Sequence, residues 1–209
     1  MVMLLYRGIA FAQIPVEILA GNKRVTVDIM FFKYFKNKDG QNAKYLFFNR
    51  NRASIDNKMT ENTNLPQFGF TEAISYNHPK LKGFAPVLVL SILNKGVNPK
   101  AGIQFAKIRK DYTIFSWIVS ETLRDPIIDF FFLARYTPKL SFKLSLFSQI
   151  ELVNAFPTVE RNNFSFNQRI RLGLKMREFQ FGAGLDLSQS GRNDFTTIEN
   201  YGGFLRYEF

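Results

Sequence analysis

Residues 199–209 read ENYGGFLRYEF and end on an aromatic. Counting back by twos gives Phe209, Tyr207, Leu205, Gly203 and Tyr201. Between them stand Glu208, Arg206, Phe204, Gly202 and Asn200. A period of two is a strand, here with one largely apolar, aromatic-ended face. Free termini fray, so a strand that uses its last residue has to be paired on both sides or closed into a barrel. An edge strand of a soluble β protein would show the same alternation, so the rest of the chain must decide.

The neighbouring stretches repeat the pattern. In 142–152, Phe142, Leu144, Leu146, Ser148, Ile150 and Leu152 alternate with Lys143, Ser145, Phe147, Gln149 and Glu151. In 164–176, Phe164, Phe166, Gln168, Ile170, Leu172, Leu174 and Met176 alternate with a polar face that carries Arg169, Arg171 and Lys175. In 179–187, Phe179, Phe181, Ala183, Leu185 and Leu187 alternate with Gln180, Gly182, Gly184 and Asp186. Ordinary strands run about 5–6 residues. These are longer, and about 9–11 tilted residues cross a bilayer.

Working toward the N-terminus, strands are predicted at 127–136, 112–120, 101–109, 84–93, 67–76, 43–52 and 24–35, with 14–20 needed to bring the chain up to the first of them. The connections alternate between short and long from the C-terminus backward, as in barrels with tight periplasmic turns and longer outer loops. The expectation is an all-β, antiparallel up-and-down barrel of twelve strands, with ten as the fallback. It occupies residues 13–209. Residues 1–12 are mostly apolar, interrupted by Arg7, and end in Ala10-Phe11-Ala12, the pattern of a partial secretion signal.

Composition fits this reading. Twenty-four Phe residues and no Cys leave no disulfide framework and no thiolate metal site, and the single His78 excludes a multi-His cluster. No metal and no cofactor is expected. No run of about 18 apolar residues offers a membrane helix. The net charge of +11 points to anionic partners. The basic residues are scattered and no nucleic-acid-binding signature occurs, so nucleic acid is not expected.

The terminal Phe with apolar or aromatic residues at alternate positions resembles the C-terminal signal of outer-membrane β-barrels of Gram-negative bacteria. The resemblance extends over most of the strand series and is strongest in the last third. It implies a bacterial outer-membrane location, outer-membrane lipid around the barrel, and a barrel-assembly machinery that reads Tyr201, Leu205, Tyr207 and Phe209. Twelve-stranded barrels of this class include solute-selective channels, autotransporter pores and a phospholipase, and no motif selects among them. The strong basic charge departs from the many acidic members.

On this reading Asp129, Arg135, Lys143, Glu151, Arg169, Arg171, Lys175, Asp186, Arg206 and Glu208 face the lumen. Arg135, Lys143, Glu151, Arg169, Arg171, Asp186 and Arg206 are the expected pore-lining set. A two-residue turn at Met176-Arg177 would set Lys175 against Glu178, Arg171 against Gly182 and Arg169 against Gly184. Room opposite the arginines suits an anion-attracting constriction. A lumen of paired charges, with Glu151, Asp129 and Asp186 as partners, is the plainer expectation, and the two are compatible.

The leading function is a channel for small solutes, with anions favoured. The alternatives are a non-conducting structural or adhesive barrel that binds a partner through loops 53–66 and 154–163, and a lipid-acting enzyme. An enzyme is the weakest of these. Only His78 with Ser75 could form a Ser-His pair, and no lipase-type motif surrounds them. Asp56, Glu61 and Glu72 read as solvated charge near the longest outer loop, and Trp117, Phe130 and Phe132 as lipid-facing.

Overall fold

A computed structural model describes residues 14–58, 67–93, 96–122 and 126–209. The secretion signal expected at 1–12 lies outside the described residues, as do Glu61 and much of the 53–66 loop. The strands are β1 (Pro15–Gly21), β2 (Arg24–Lys36), β3 (Asn42–Asp56), β4 (Gln67–Tyr76), β5 (Phe84–Leu93) and β6 (Gly96–Ile108). They continue as β7 (Tyr112–Glu121), β8 (Ile127–Tyr136), β9 (Ser145–Pro157), β10 (Phe164–Met176), β11 (Phe179–Gly191) and β12 (Phe195–Glu208). Each pairs antiparallel with the next, and β12 pairs with β1, so the twelve strands close into a barrel.

Closure reaches the last residue. The Phe209 N–H donates to Ile14 O at 3.1 Å, and the Ile14 N–H donates to Phe209 O at 3.3 Å. A closed barrel leaves no open edge, which is what a sheet in hydrocarbon requires. The outer wall is apolar around the circumference, with exposed Ile18, Val27, Leu88, Ile103, Ile118, Ile150 and Leu172. Aromatics mark both rims. Tyr45, Tyr76, Phe84, Tyr136, Phe179 and Phe209 stand near the end that holds the C-terminus. Phe68, Phe156, Phe195 and Tyr201 stand toward the other. This is the interfacial girdle arrangement of a transmembrane barrel. The end holding the C-terminus is called the inner end below.

Predicted strands 67–76, 84–93, 127–136 and 164–176 coincide with β4, β5, β8 and β10. Others run further than the alternation suggested. β3 continues to Asp56, β9 to Pro157 and β11 to Gly191, and β12 begins at Phe195. The outer connections shrink accordingly. Residues 158–163 join β9 to β10, and 192–194 join β11 to β12. Polar residues on both faces of a strand end look like loop in sequence, yet they pair once they rise beyond the apolar belt.

The β10–β11 hairpin differs in register. Met176 pairs with Phe179, and Arg177-Glu178 form the turn, with Arg177 at φ 55°. Arg171 therefore faces Gly184, Arg169 faces Asp186 and Lys175 faces Gln180. The slip of two positions keeps every side chain on its expected face. It also brings Met176 and Phe179 into one apolar cross-strand pair instead of leaving Met176 in the turn.

Candidate functional site

The lumen is filled by two sectors of different chemistry. One is an apolar cluster supplied by inward side chains of β2, β3, β5, β7 and β8. Phe48 from β3 stacks on Phe115 from β7 at 5.4 Å between centroids and meets Trp117 edge-on at 5.1 Å. Phe131 from β8 lies 5.0 Å from Trp117, and Phe32 from β2 lies 4.7 Å from Phe115. Leu46, Val87, Val89 and Leu133 pack around these rings. Rings from β3 touch rings from β7 across the interior, so direct contact closes this half.

The other is a charged network drawn from β1, β2, β3, β9, β10 and β11. Arg50 on β3 donates to Glu151 Oε1 on β9 at 2.5 Å. Those strands stand six apart in the ring of twelve, so this pair spans the lumen from wall to wall. Arg50 also pairs with Asp28 through two nitrogens, and Arg169 pairs with Glu151. Arg52 donates to Asp186 Oδ2 at 2.6 Å. Arg171 donates to Glu17 Oε1 at 2.8 Å and to Asp186 Oδ1 at 2.7 Å. Its guanidinium crosses above Gly184, where an added Cβ would sit 2.7 Å from Leu19 Cδ1 and 3.2 Å from Arg171 Cδ. Glu17, Asp28, Glu151 and Asp186 thus balance Arg50, Arg52, Arg169 and Arg171. Glu151 is only 1% exposed. Buried charges of this kind persist only when paired and hydrogen-bonded.

Two further guanidiniums make no direct ion pair among the described residues. Arg135 Nε donates to Gln149 Oε1 at 2.8 Å, and Arg206 Nη1 reaches the same oxygen at 3.5 Å. Their Cζ atoms lie 5.9 and 5.6 Å from the Phe147 ring centroid, within cation–π range. Nε and Nη2 of Arg206 and Nη2 of Arg135 are buried without a hydrogen-bond partner. Below the balanced belt, the lumen therefore carries an excess of positive charge.

Between the sectors remains a cavity of about 10 Å³, bounded by Glu17, Asp28, Arg50, Glu151, Arg169, Arg171 and Arg206. That is room for about one water. The lumen widens above and below it. The outer mouth encloses about 200 Å³ beside Arg24, Arg52, Arg169, Asn167 and Ser188. The inner mouth encloses about 150 Å³ beside Arg109, Lys110, Arg135, Lys175 and Glu208. Cations dominate both linings.

Six of the seven expected pore-lining residues face this interior: Arg135, Glu151, Arg169, Arg171, Asp186 and Arg206. Lys143 does not. It lies in the exposed turn before β9, beside Phe142, which is 98% exposed. The alternation through 142–144 continued the strand pattern, but pairing with β10 starts at Ser145. Glu151, Asp186 and Asp129 each accept an ion pair in the lumen as expected, Asp129 from Lys100. Trp117 points inward, contrary to the lipid-facing reading, while Phe130 and Phe132 lie on the outward face of β8. In β7 both faces are apolar, and the lipid face carries Ser116 and Ser120, so hydropathy inverts the assignment. The acids and arginines of the first three strands (Glu17, Asp28, Arg50 and Arg52) were missed. β3 is polar on both faces at its middle, with Asn49 and Asn51 outward and Arg50 and Arg52 inward, and alternation cannot choose between them.

Tyr201, Leu205 and Phe209 of the terminal strand are exposed on the outer wall, and Tyr207 packs between Phe179 and Phe209 at 4.8 and 4.6 Å. His78 caps a single 3₁₀ turn, its Nδ1 accepting from the Lys80 N–H at 3.2 Å. Ser75 Oγ accepts from Asn77 Nδ2 at 2.8 Å. The two residues that a Ser-His pair would need are thus engaged separately. Asp56 pairs with Arg24 at 3.2 Å at the outer rim. Among the described residues, no group of three His, Asp or Glu side chains is placed to hold a metal ion.

No protein-family model matches the sequence, and no curated protein matches it significantly. Solved structures do match in shape. A KdgM porin superposes with a TM-score of 0.51 at 10% identity, covering 94% of this chain and 99% of that one. A KdgM porin in complex with disordered oligogalacturonate gives 0.49 at 9% identity over the same shares. The β domain of the Bordetella autotransporter BrkA gives 0.38 at 6% identity, covering 95% of this chain and all of that one. At such identities it is the fold that is shared. Together with the apolar outer wall and the aromatic rims, it is the fold of a porin-like outer-membrane barrel.

Proposed function

We propose that the chain is a channel of the Gram-negative outer membrane that draws small anionic solutes into its basic mouths. It passes them when the ion pairs across its middle part. The observation that carries this reading is the cation excess along the lumen: Arg135 and Arg206 make no direct ion pair among the described residues, and three arginines line the outer mouth. Fixed cations in a narrow, low-dielectric passage concentrate anions and repel cations. Arg135, Glu151, Arg169, Arg171, Asp186 and Arg206 are the residues that set selectivity. Residues 13–209 form the barrel in outer-membrane lipid after loss of a signal within 1–12. The face of Tyr201, Leu205, Tyr207 and Phe209 addresses it to the assembly machinery.

A non-conducting barrel is the second reading, favoured by the closed constriction of about 10 Å³. Planar-bilayer recording of detergent-refolded protein under a salt gradient separates the two. Stepwise currents that reverse toward the anion potential support the channel. Silence from protein shown to be folded removes it and leaves the structural barrel.

A further inference from the structure

The lipid-facing wall is not uniform. At mid-height on β4, Glu72, which the sequence suggests as solvated loop charge, accepts from Asn49 Nδ2 at 2.5 Å. A different feature lies on β7–β10, toward the inner end. Register sets the outward Ile114, Ala134, Ile150 and Ile170 side by side on these four strands. The next outward row toward the inner end is Tyr112, Tyr136, Ser148 and Leu172. Ala134 and Ser148 are the small members of the two rows, and they meet on the diagonal. Ser148 Oγ donates to Tyr136 O at 3.0 Å, so its hydroxyl proton is engaged. Larger side chains stand on either side of the pair, and the wall is hollowed into an open, largely apolar groove of about 470 Å³.

Positive charge collects at the inner end of this groove. Lys107 on β6 is outward and exposed, and its Nζ lies 5.6 Å from the Tyr112 ring centroid. The turn that joins β8 to β9 carries exposed Lys139 and Lys143 beside Leu140 and Phe142, which are 57% and 98% exposed. None of these three lysines makes an ion pair among the described residues. Tyrosine and lysine at a strand end are what a membrane interface selects, since the rings sit at headgroup level and the long cationic side chains reach the phosphates. A groove open to hydrocarbon accepts an alkyl chain, and unpaired lysines at its interfacial end accept an anionic group. A lipid with a negatively charged head supplies both in one molecule. A second copy of this wall, related by a two-fold axis along the membrane normal, would instead set these lysines against their own equivalents.

We propose that the groove over Ala134 and Ser148 is a binding site for one anionic phospholipid of the leaflet at the inner end. An acyl chain lies between Tyr136 and Leu172, and Lys107 holds the phosphate, with Lys139 and Lys143 adding positive charge further toward the inner end. Solute passage does not use this surface, so the proposal stands apart from the channel reading.

Native mass spectrometry of the whole barrel in detergent, titrated with phosphatidylglycerol, phosphatidylethanolamine or glycerol phosphate, tests it. Phosphatidylglycerol is expected to bind as the first adduct roughly tenfold more tightly than phosphatidylethanolamine. Glycerol phosphate should give no adduct, which separates a lipid site from a site for free phosphate. Ala134→Phe fills the groove and should weaken both lipids roughly tenfold, whereas Ala101→Phe on the outward face of β6 should weaken neither. Lys107→Gln, Lys139→Gln and Lys143→Gln together should erase the preference for phosphatidylglycerol and leave phosphatidylethanolamine unchanged. All these positions face lipid or solvent, and heat-shifted gel mobility verifies folding; Ala134→Leu narrows the same groove if Ala134→Phe does not fold. Equal binding of the two lipids to the native chain, an adduct of glycerol phosphate alone, a groove variant that binds as the native chain does, or a second copy of the chain in place of the lipid would each overturn the proposal.

Discussion

The two sectors of the lumen do the same job by different physics. The Phe48–Phe115–Trp117–Phe131 side closes by aromatic contact, with neighbours and hydrophobic burial to hold it. The Arg50–Glu151 side closes by ion pairs that reach from wall to wall, each depending on its partner. Filling of the first kind tolerates repacking. Filling of the second kind is balanced charge by charge, so removing one member leaves another buried and uncompensated. It is also the kind that can part for an anion, because an incoming negative charge can replace a carboxylate at a guanidinium.

The largest effect should come from the charged sector. Glu151→Leu leaves Arg50 and Arg169 without their shared carboxylate, and unfolding by urea in detergent should show a loss of about 3–5 kcal/mol. A loss under about 1 kcal/mol would mean that the network is not structural. Phe115→Ala follows, at about 3–4 kcal/mol for the cavity left among the rings. Its conductance should rise without a change in ion preference, since no charge is removed. Arg169→Ala combined with Arg171→Ala should do the reverse to selectivity, moving the reversal potential away from the anion side. If the two sectors gave the same selectivity change, the contrast between them would fail. Gly184→Val should cost about 1–3 kcal/mol, because its side chain enters the space held by Leu19 and Arg171. Smallest is Arg24→Ala at the outer rim. Its partner Asp56 is largely solvated, and the loss should stay below about 1 kcal/mol.

The fold was legible because the terminal strands obey one rule. In β10, β11 and β12 the lipid face is apolar and the lumen face polar, so alternation alone assigns both and counts the strands. The inward placement of Arg169, Arg171, Asp186 and Arg206 followed from that, and the same alternation placed Glu151 on β9 and Arg135 on β8. The rule breaks where the lumen is itself apolar. In β7, Phe115 and Trp117 point inward while Ser116 and Ser120 face lipid, so the aromatic half of the constriction had no signature. It breaks again in the middle of β3 and β4, where Asn49, Asn51 and Glu72 put polar groups on the lipid side. Glu72 then reads as loop charge, although its strand was placed correctly. Register was out of reach for a related reason: a slip of two residues in the β10–β11 hairpin preserves every face, and only the pairing of Met176 with Phe179 distinguishes the alternatives.

Sidedness of the lumen tests the two-sector closure most directly. Ser54→Cys reports the outer mouth and Thr113→Cys the inner, in proteoliposomes treated from one side with a small anionic, membrane-impermeant thiol reagent. The account predicts that reagent on the outer-loop side modifies Ser54→Cys promptly and Thr113→Cys far more slowly, with the order reversed from the opposite side. Equal rates at both positions from one side would mean that the lumen stands open, and would contradict closure by the aromatic cluster and the Arg50–Glu151 bridge.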